Sequence, residues 1–134
     1  MRVFLDTNIL FSAILFPNST PDKALQKALC APYEAVTCDY VLDELRRNVI
    51  KKFPTKIGAL EKFFAALALN ITIVNVSYNA DDPTLQIRDE DDKPVLKAAL
   101  DSKCELLISG DRDFLEVNLK YPKVITATDF YHNY

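Results

Sequence analysis

Met1-Arg2-Val3-Phe4-Leu5-Asp6-Thr7-Asn8 opens the chain, and its reading decides the fold. The run is mostly apolar, short, and halted by an aspartate, with an apolar helix-like run from Ile9 to Phe16 directly behind it. Open α/β sheets place ligands just beyond the carboxyl ends of their strands, and Asp6 stands at such an end. A capping role for Asp6-Thr7-Asn8 at the first helix explains the same residues equally well.

The alternation continues along the chain. Strand-like runs fall at Tyr33–Cys38, Ile71–Val76, Cys104–Ser109 and Tyr121–Ile125. Between them, apolar residues at helical spacing predict helices over Lys23–Ala31, Tyr40–Phe53, Thr55 to about Leu69, Lys93–Ser102 and a short piece at Phe114–Val117. Asp39 and Thr55 are the expected caps of the third and fourth, and Pro94 puts the cap of the fifth at Asp91 or Asp92. From Thr126 the chain reads as a tail. Alternating strands and helices imply crossover connections, hence an α/β fold: a three-layer α/β/α sandwich around a mostly parallel sheet. With 134 residues and no internal repeat or linker, residues 1–134 form a single domain.

Composition removes several chemistries. The only histidine is His132, two residues from the end, which leaves histidine-dependent nucleophilic sites resting on a terminal residue. Zinc sites of histidine and cysteine lack ligands, and two glycines, Gly58 and Gly110, cannot build a Gly-rich phosphate loop. No apolar run spans a membrane and no leader pattern precedes the first strand, so the expected location is cytoplasmic. Cys30, Cys38 and Cys104 are then expected to be buried reduced thiols. The net charge of −3 speaks weakly against a nucleic-acid partner, but Arg46, Arg47, Lys51, Lys52 and Lys56 are clustered.

Carboxylate is what remains abundant. In a parallel sheet all strand tips point one way, so Asp6 and Asp111, with Ser109 two residues before the latter, can converge. Asp91 or Asp92 sits at a helix start on that side, and Glu44, one turn into its helix, leans back toward the strand ends. Carboxylates this close repel one another unless protonated or neutralised by cations, and oxygen ligands suit Mg²⁺ or Mn²⁺. Such an ion supports phosphodiester hydrolysis without histidine. Taken singly, Asp92 and Asp113 also read as helix caps, Glu44 as a surface residue, and Asp89–Asp92 as a solvated loop. Arg46, Arg47, Lys51 and Lys52 share a helix with Glu44, and Arg112 adjoins Asp111; these are the candidate contacts to a nucleic-acid backbone, or else a solvated face.

In order, Val3-Phe4-Leu5-Asp6-Thr7-Asn8, Leu42-Asp43-Glu44-Leu45, Asp91-Asp92 before an apolar helix, Leu107-Ile108-Ser109-Gly110-Asp111 and the closing Ile125-Thr126-Ala127-Thr128-Asp129-Phe130 resemble the PIN-domain family, and within it the VapC-like ribonuclease toxins. The resemblance implies a Mg²⁺- or Mn²⁺-dependent endoribonuclease. Its catalytic and metal-holding acids would be Asp6, Glu44, Asp92 and Asp111, supported by Asn8, Ser109, Asp113 and Asp91. It also implies an RNA substrate, a homodimer and, in toxin members, a small antitoxin protein. Asp91 or Asp89 is an alternative third acid, and Ser109-Gly110-Asp111 stands where Thr-Arg-Asp is common in the toxins. Two other functions fit less well: an inactive PIN-like domain that binds RNA or protein, and a small phosphatase or phosphotransfer domain using Asp6. The latter wants a second aspartate where Asn8 stands.

Overall fold

The computed structural model describes residues 1–77, 81, 82, 85, 87, 90–117 and 119–134. Strands β1 (Arg2–Leu5), β2 (Glu34–Cys38), β3 (Thr72–Val74), β4 (Leu106–Ile108) and β5 (Lys123–Ile125) form one sheet in the order β3-β2-β1-β4-β5. Every pairing is parallel. The connections carry α1 (Thr7–Leu15), α2 (Thr20–Ala28), α3 (Asp39–Lys52), α4 (Ile57–Asn70), α5 (Lys93–Asp101) and α6 (Arg112–Glu116), and α7 (Ala127–Asn133) follows β5. The α/β/α sandwich expected from the alternation is the observed architecture.

The sheet's interior explains the order. Val3, Phe4 and Leu5 of β1 and Leu107 and Ile108 of β4 are wholly inaccessible, as suits the two strands that helices cover on both faces. From β1 the chain builds outward to β2 and β3, then crosses back to β4 and builds the other way to β5. The direction reverses between β1 and β4, which makes their shared carboxyl edge the topological switch point of the sheet. Phe4 pairs with Leu107 and Leu5 with Ile108, so the next residues, Asp6 and Ser109, meet side by side.

Several element ends differ from the sequence reading. Helix α2 starts earlier, at Thr20, because the Ser19 hydroxyl accepts from the Asp22 N–H and Pro21 fits the first turn. Asp39 is not a cap but the first residue of α3; its Oδ1 accepts from the N–H groups of Tyr40 and Val76, tying the end of β3 to the start of α3. Thr55 does not cap α4 either, since Pro54–Lys56 forms a separate 3₁₀ turn ahead of it. The supposed tail is helix α7, capped by the Thr126 hydroxyl on the Asp129 N–H and packed on α2. Lys27 of α2 closes that contact: its ammonium donates to the carbonyls of Phe130, Tyr131 and Tyr134. The missed signal was Thr126 with an acid three residues on, a capping pattern in a segment too short for periodicity to show. His132 therefore sits in a helix rather than in a loose tail. Cys38 and Cys104 are buried as expected, but Cys30 is exposed, because it lies beyond the end of α2 ahead of the turn into β2.

Candidate active site

Asp6 has two constraints on its carboxylate. Oδ1 accepts from the Thr7 N–H at 2.7 Å, and Oδ2 accepts from the Ser109 hydroxyl at 2.7 Å. The same hydroxyl oxygen accepts from the Asp111 N–H at 3.0 Å, and Asp111 Oδ1 accepts from the Asp113 N–H at 2.8 Å. One serine thus links the acid ending β1 to the acid following β4, and Asp111 in turn caps α6. Asp6 caps α1 through the Thr7 contact, so the capping role and a place in an acidic cluster are both present at one residue.

The other acids arrive from helices. Asp92, at the N-terminal boundary of α5, meets Asp111 and Asp113: one carboxylate oxygen from each lies within 4.8 Å of the others. Glu44 stands half-buried on α3, and its charge acts on Asp6 together with that of Asp111. Burial is the largest influence on Asp6, which is 4 % exposed, and pushes its carboxyl up to about 6. The Ser109 and Thr7 hydrogen bonds pull it down, while Glu44 and Asp111 push it further up. The repulsion from the two neighbouring acids is one that a bound cation would relieve.

The candidate residues separate on this geometry. Asp92, Asp111 and Asp113 form the close three-acid group, Asp6 is joined to Asp111 through Ser109, and Glu44 acts on Asp6 through its charge; Asp6 and Glu44 lie outside the three-acid group. Asn8 lies beside Gly110, its Nδ2 being 4.0 Å from where a Cβ on that glycine would stand. Asp91 is exposed in the 3₁₀ turn Glu90–Asp92 and is outside the three-acid group, and Asp89 falls outside the described residues. Among the basic candidates, Arg46 is turned toward α4, 2.9 Å from Glu61 and over the Phe64 ring at 4.9 Å. Arg47, Lys51 and Arg112 are exposed. Lys52 lines a groove with Thr7, Asn8, Phe11, Glu44 and Asn48. Asn48 was missed by sequence reading, although Glu44, Asn48 and Lys52 fall at i, i+4 and i+8 and so share one helical ridge.

These groups fit a small hard cation. The close donors are carboxylate oxygens of Asp92 at the start of α5 and of Asp111 and Asp113 at the start of α6, and the Thr7 hydroxyl beside Asp6 is buried without a hydrogen-bond partner among the described residues. An arrangement of this kind can hold a divalent ion against a phosphodiester while the Ser109 hydroxyl and the backbone amides of Thr7 and Asp113 fix the acids.

The PIN domain family model matches residues 2–113. An uncharacterized protein of Methanocaldococcus jannaschii is 27 % identical over 139 residues, covering 97 % of this chain and 89 % of that protein. Among solved structures, VapBC2 from Rickettsia felis, bound to a DNA fragment from its promoter, superposes with a TM-score of 0.72 at 18 % identity, covering 94 % of this chain and 98 % of that one. The FitAB complex bound to an IR36 DNA fragment gives 0.64 at 15 % identity over 93 % of this chain and 94 % of that one. VapC20 of Mycobacterium tuberculosis, described as a sarcin-ricin loop cleaving toxin, gives 0.59 at 13 % identity over 81 % of this chain and 91 % of that one.

Proposed function

Since the chain belongs to the PIN-domain family, we propose that it is a metal-dependent endoribonuclease that hydrolyses RNA phosphodiester bonds, and that it acts as the toxin of a toxin–antitoxin pair. The observation that supports the proposal is the group of Asp92, Asp111 and Asp113 beside the switch point of the sheet, with Asp6 tied to Asp111 through Ser109. Asp6, Glu44, Asp92 and Asp111 would hold Mg²⁺ or Mn²⁺, with Asp113 adjoining. When bound, the ion supplies neutralisation of phosphate charge and a more acidic water.

The protein's own part is positioning. Thr7 and Ser109 hold the Asp6 carboxylate at both oxygens, so it cannot turn away from the cluster. Ser109 also fixes the Asp111 backbone, which keeps the two strand-tip acids in register. Burial of Asp6 keeps bulk water from one side of the site and strengthens its attraction for a cation. Lys52, Arg47, Lys51 and Arg112 supply positive charge at the margin for the flanking phosphates, which a chain of net charge −3 needs locally.

The toxin assignment is supported by the VapBC2, FitAB and VapC20 likenesses. It brings with it a small antitoxin protein as partner, a homodimer and a cytoplasmic location. No helix of the described residues is long and apolar enough to cross a membrane. The test is RNA cleavage by the wild type and by Asp6→Asn with Mg²⁺ or Mn²⁺. Loss of cleavage in the variant is expected, and equal activity would overturn the proposal.

A further inference from the structure

The groove beside the acids carries three side chains that the hydrolytic role leaves unused, Asn8, Phe11 and Asn48. Glu44, Asn48 and Lys52 line one wall as a single ridge of α3, rising roughly 12 Å from the acid end to the ammonium end. Asn8 and Phe11 of α1 line the other. Among the described residues, neither Asn8 nor Asn48 makes a side-chain hydrogen bond within the protein, so both amides are available to a ligand. Phe11 is half-buried, backed by the Phe53 ring at 5.8 Å, with the Lys52 ammonium 5.9 Å from its centre.

Resting on the nuclease proposal above, we infer that this groove receives the nucleotide next to the cleaved phosphodiester and that Asn48 reads its base. The chemistry matches a single-stranded nucleotide part by part. A side-chain amide offers a donor and an acceptor together, as a base edge requires. Lys52 takes the next phosphate as a point charge. The backed Phe11 ring gives the base an aromatic surface to lie against. A base that lies against the Phe11 ring must be unstacked from its neighbours, so the substrate is a single strand, a loop or a bulge. Lys52 contributes affinity without sequence preference, whereas Asn48 contributes preference.

The experiment sequences the cleavage sites of a randomised single-stranded RNA pool cut by the wild type, Asn48→Ala and Lys52→Ala. In parallel, fluorescence anisotropy follows binding of labelled homopolymeric RNAs in EDTA, where nothing is cut. Asn48→Ala is expected to flatten the base preference at one position beside the cut by about tenfold or more. Lys52→Ala is expected to weaken binding to every sequence and to lower the slope of log affinity against log salt by about one. Circular dichroism checks that both variants fold; Asn48→Leu, which keeps the volume and lacks the amide, replaces Asn48→Ala if that variant does not. Cleavage with an unchanged sequence profile in the Asn48 variant overturns the inference and leaves the nuclease proposal standing. RNA binding with an Asn48-dependent base preference but no cleavage upholds the groove and removes the nuclease. A wild type that neither cuts nor binds RNA overturns both.

Discussion

Replacing Asp6 with asparagine should strengthen the metal-free fold while abolishing the site. The Asp6 carboxyl is raised from 3.8 to about 6, first by burial, then by Glu44 and Asp111 acting against two hydrogen bonds. Each tenfold change in acidity corresponds to about 1.4 kcal/mol, so at neutral pH the ionised carboxylate costs the native state roughly 3 kcal/mol. The sign follows from the raised value. Between pH 4 and 6 the native protein binds more protons at Asp6 than the unfolded chain does. Metal-free stability therefore falls as pH rises through that window, and the whole cost is present above it. Asparagine keeps the shape and still accepts from the Thr7 N–H. It removes the charge, so the expected gain is between about 1 and 3 kcal/mol at pH 7.5, shrinking toward zero at pH 4. Urea unfolding in EDTA at both pH values measures this. With Mn²⁺ the order reverses, because ligand binding to the native wild type adds stability that the variant forfeits. An Asp6→Asn protein that is less stable than the wild type in EDTA at pH 7.5 would refute the reasoning.

Three other outcomes follow from the same structure. Ser109→Ala leaves Asp6 Oδ2 and the Asp111 N–H without their shared partner, a loss of about 1–3 kcal/mol that urea unfolding should show to be larger at pH 7.5 than at pH 4. Lys27→Met removes the ammonium that holds the carbonyl end of α7, and about 1–2 kcal/mol of stability should go with it; amide exchange should accelerate in α7 before the sheet. Iodoacetamide should label Cys30, which is exposed, and spare Cys38, whose thiol burial pushes up to about 12; mass spectrometry of the native protein reads the difference.

Sequence carried the fold because the central strands write their burial plainly. Val3-Phe4-Leu5 and Leu106-Leu107-Ile108 are apolar on both faces, and a parallel sheet puts their following residues on one edge. Asp6, Asp111 and Ser109 were legible for that reason: their position depends only on where two strands stop. Glu44 was legible through helical phase, since one turn into α3 a side chain leans toward the strand ends. Asp92, which joins the three-acid group, could be told from Asp91 only in three dimensions, because a one-residue step in the 3₁₀ turn Glu90–Asp92 changes facing by about 120°. Arg46 shows the opposite failure. It sits two residues from Glu44 in sequence, yet Glu61 and Phe64 draw it to α4, a contact between helices that no local pattern encodes. Asn48 was passed over because an asparagine on a helix carries no charge to flag it, although its spacing from Glu44 and Lys52 was visible.

The central claim is that these acids hold a divalent ion. Anomalous difference density from a crystal soaked in Mn²⁺ tests it most directly. The account predicts manganese bound by Asp6, Asp111 and Asp92, with Glu44 close by. Manganese absent from that cluster at a concentration that supports RNA cleavage would contradict it.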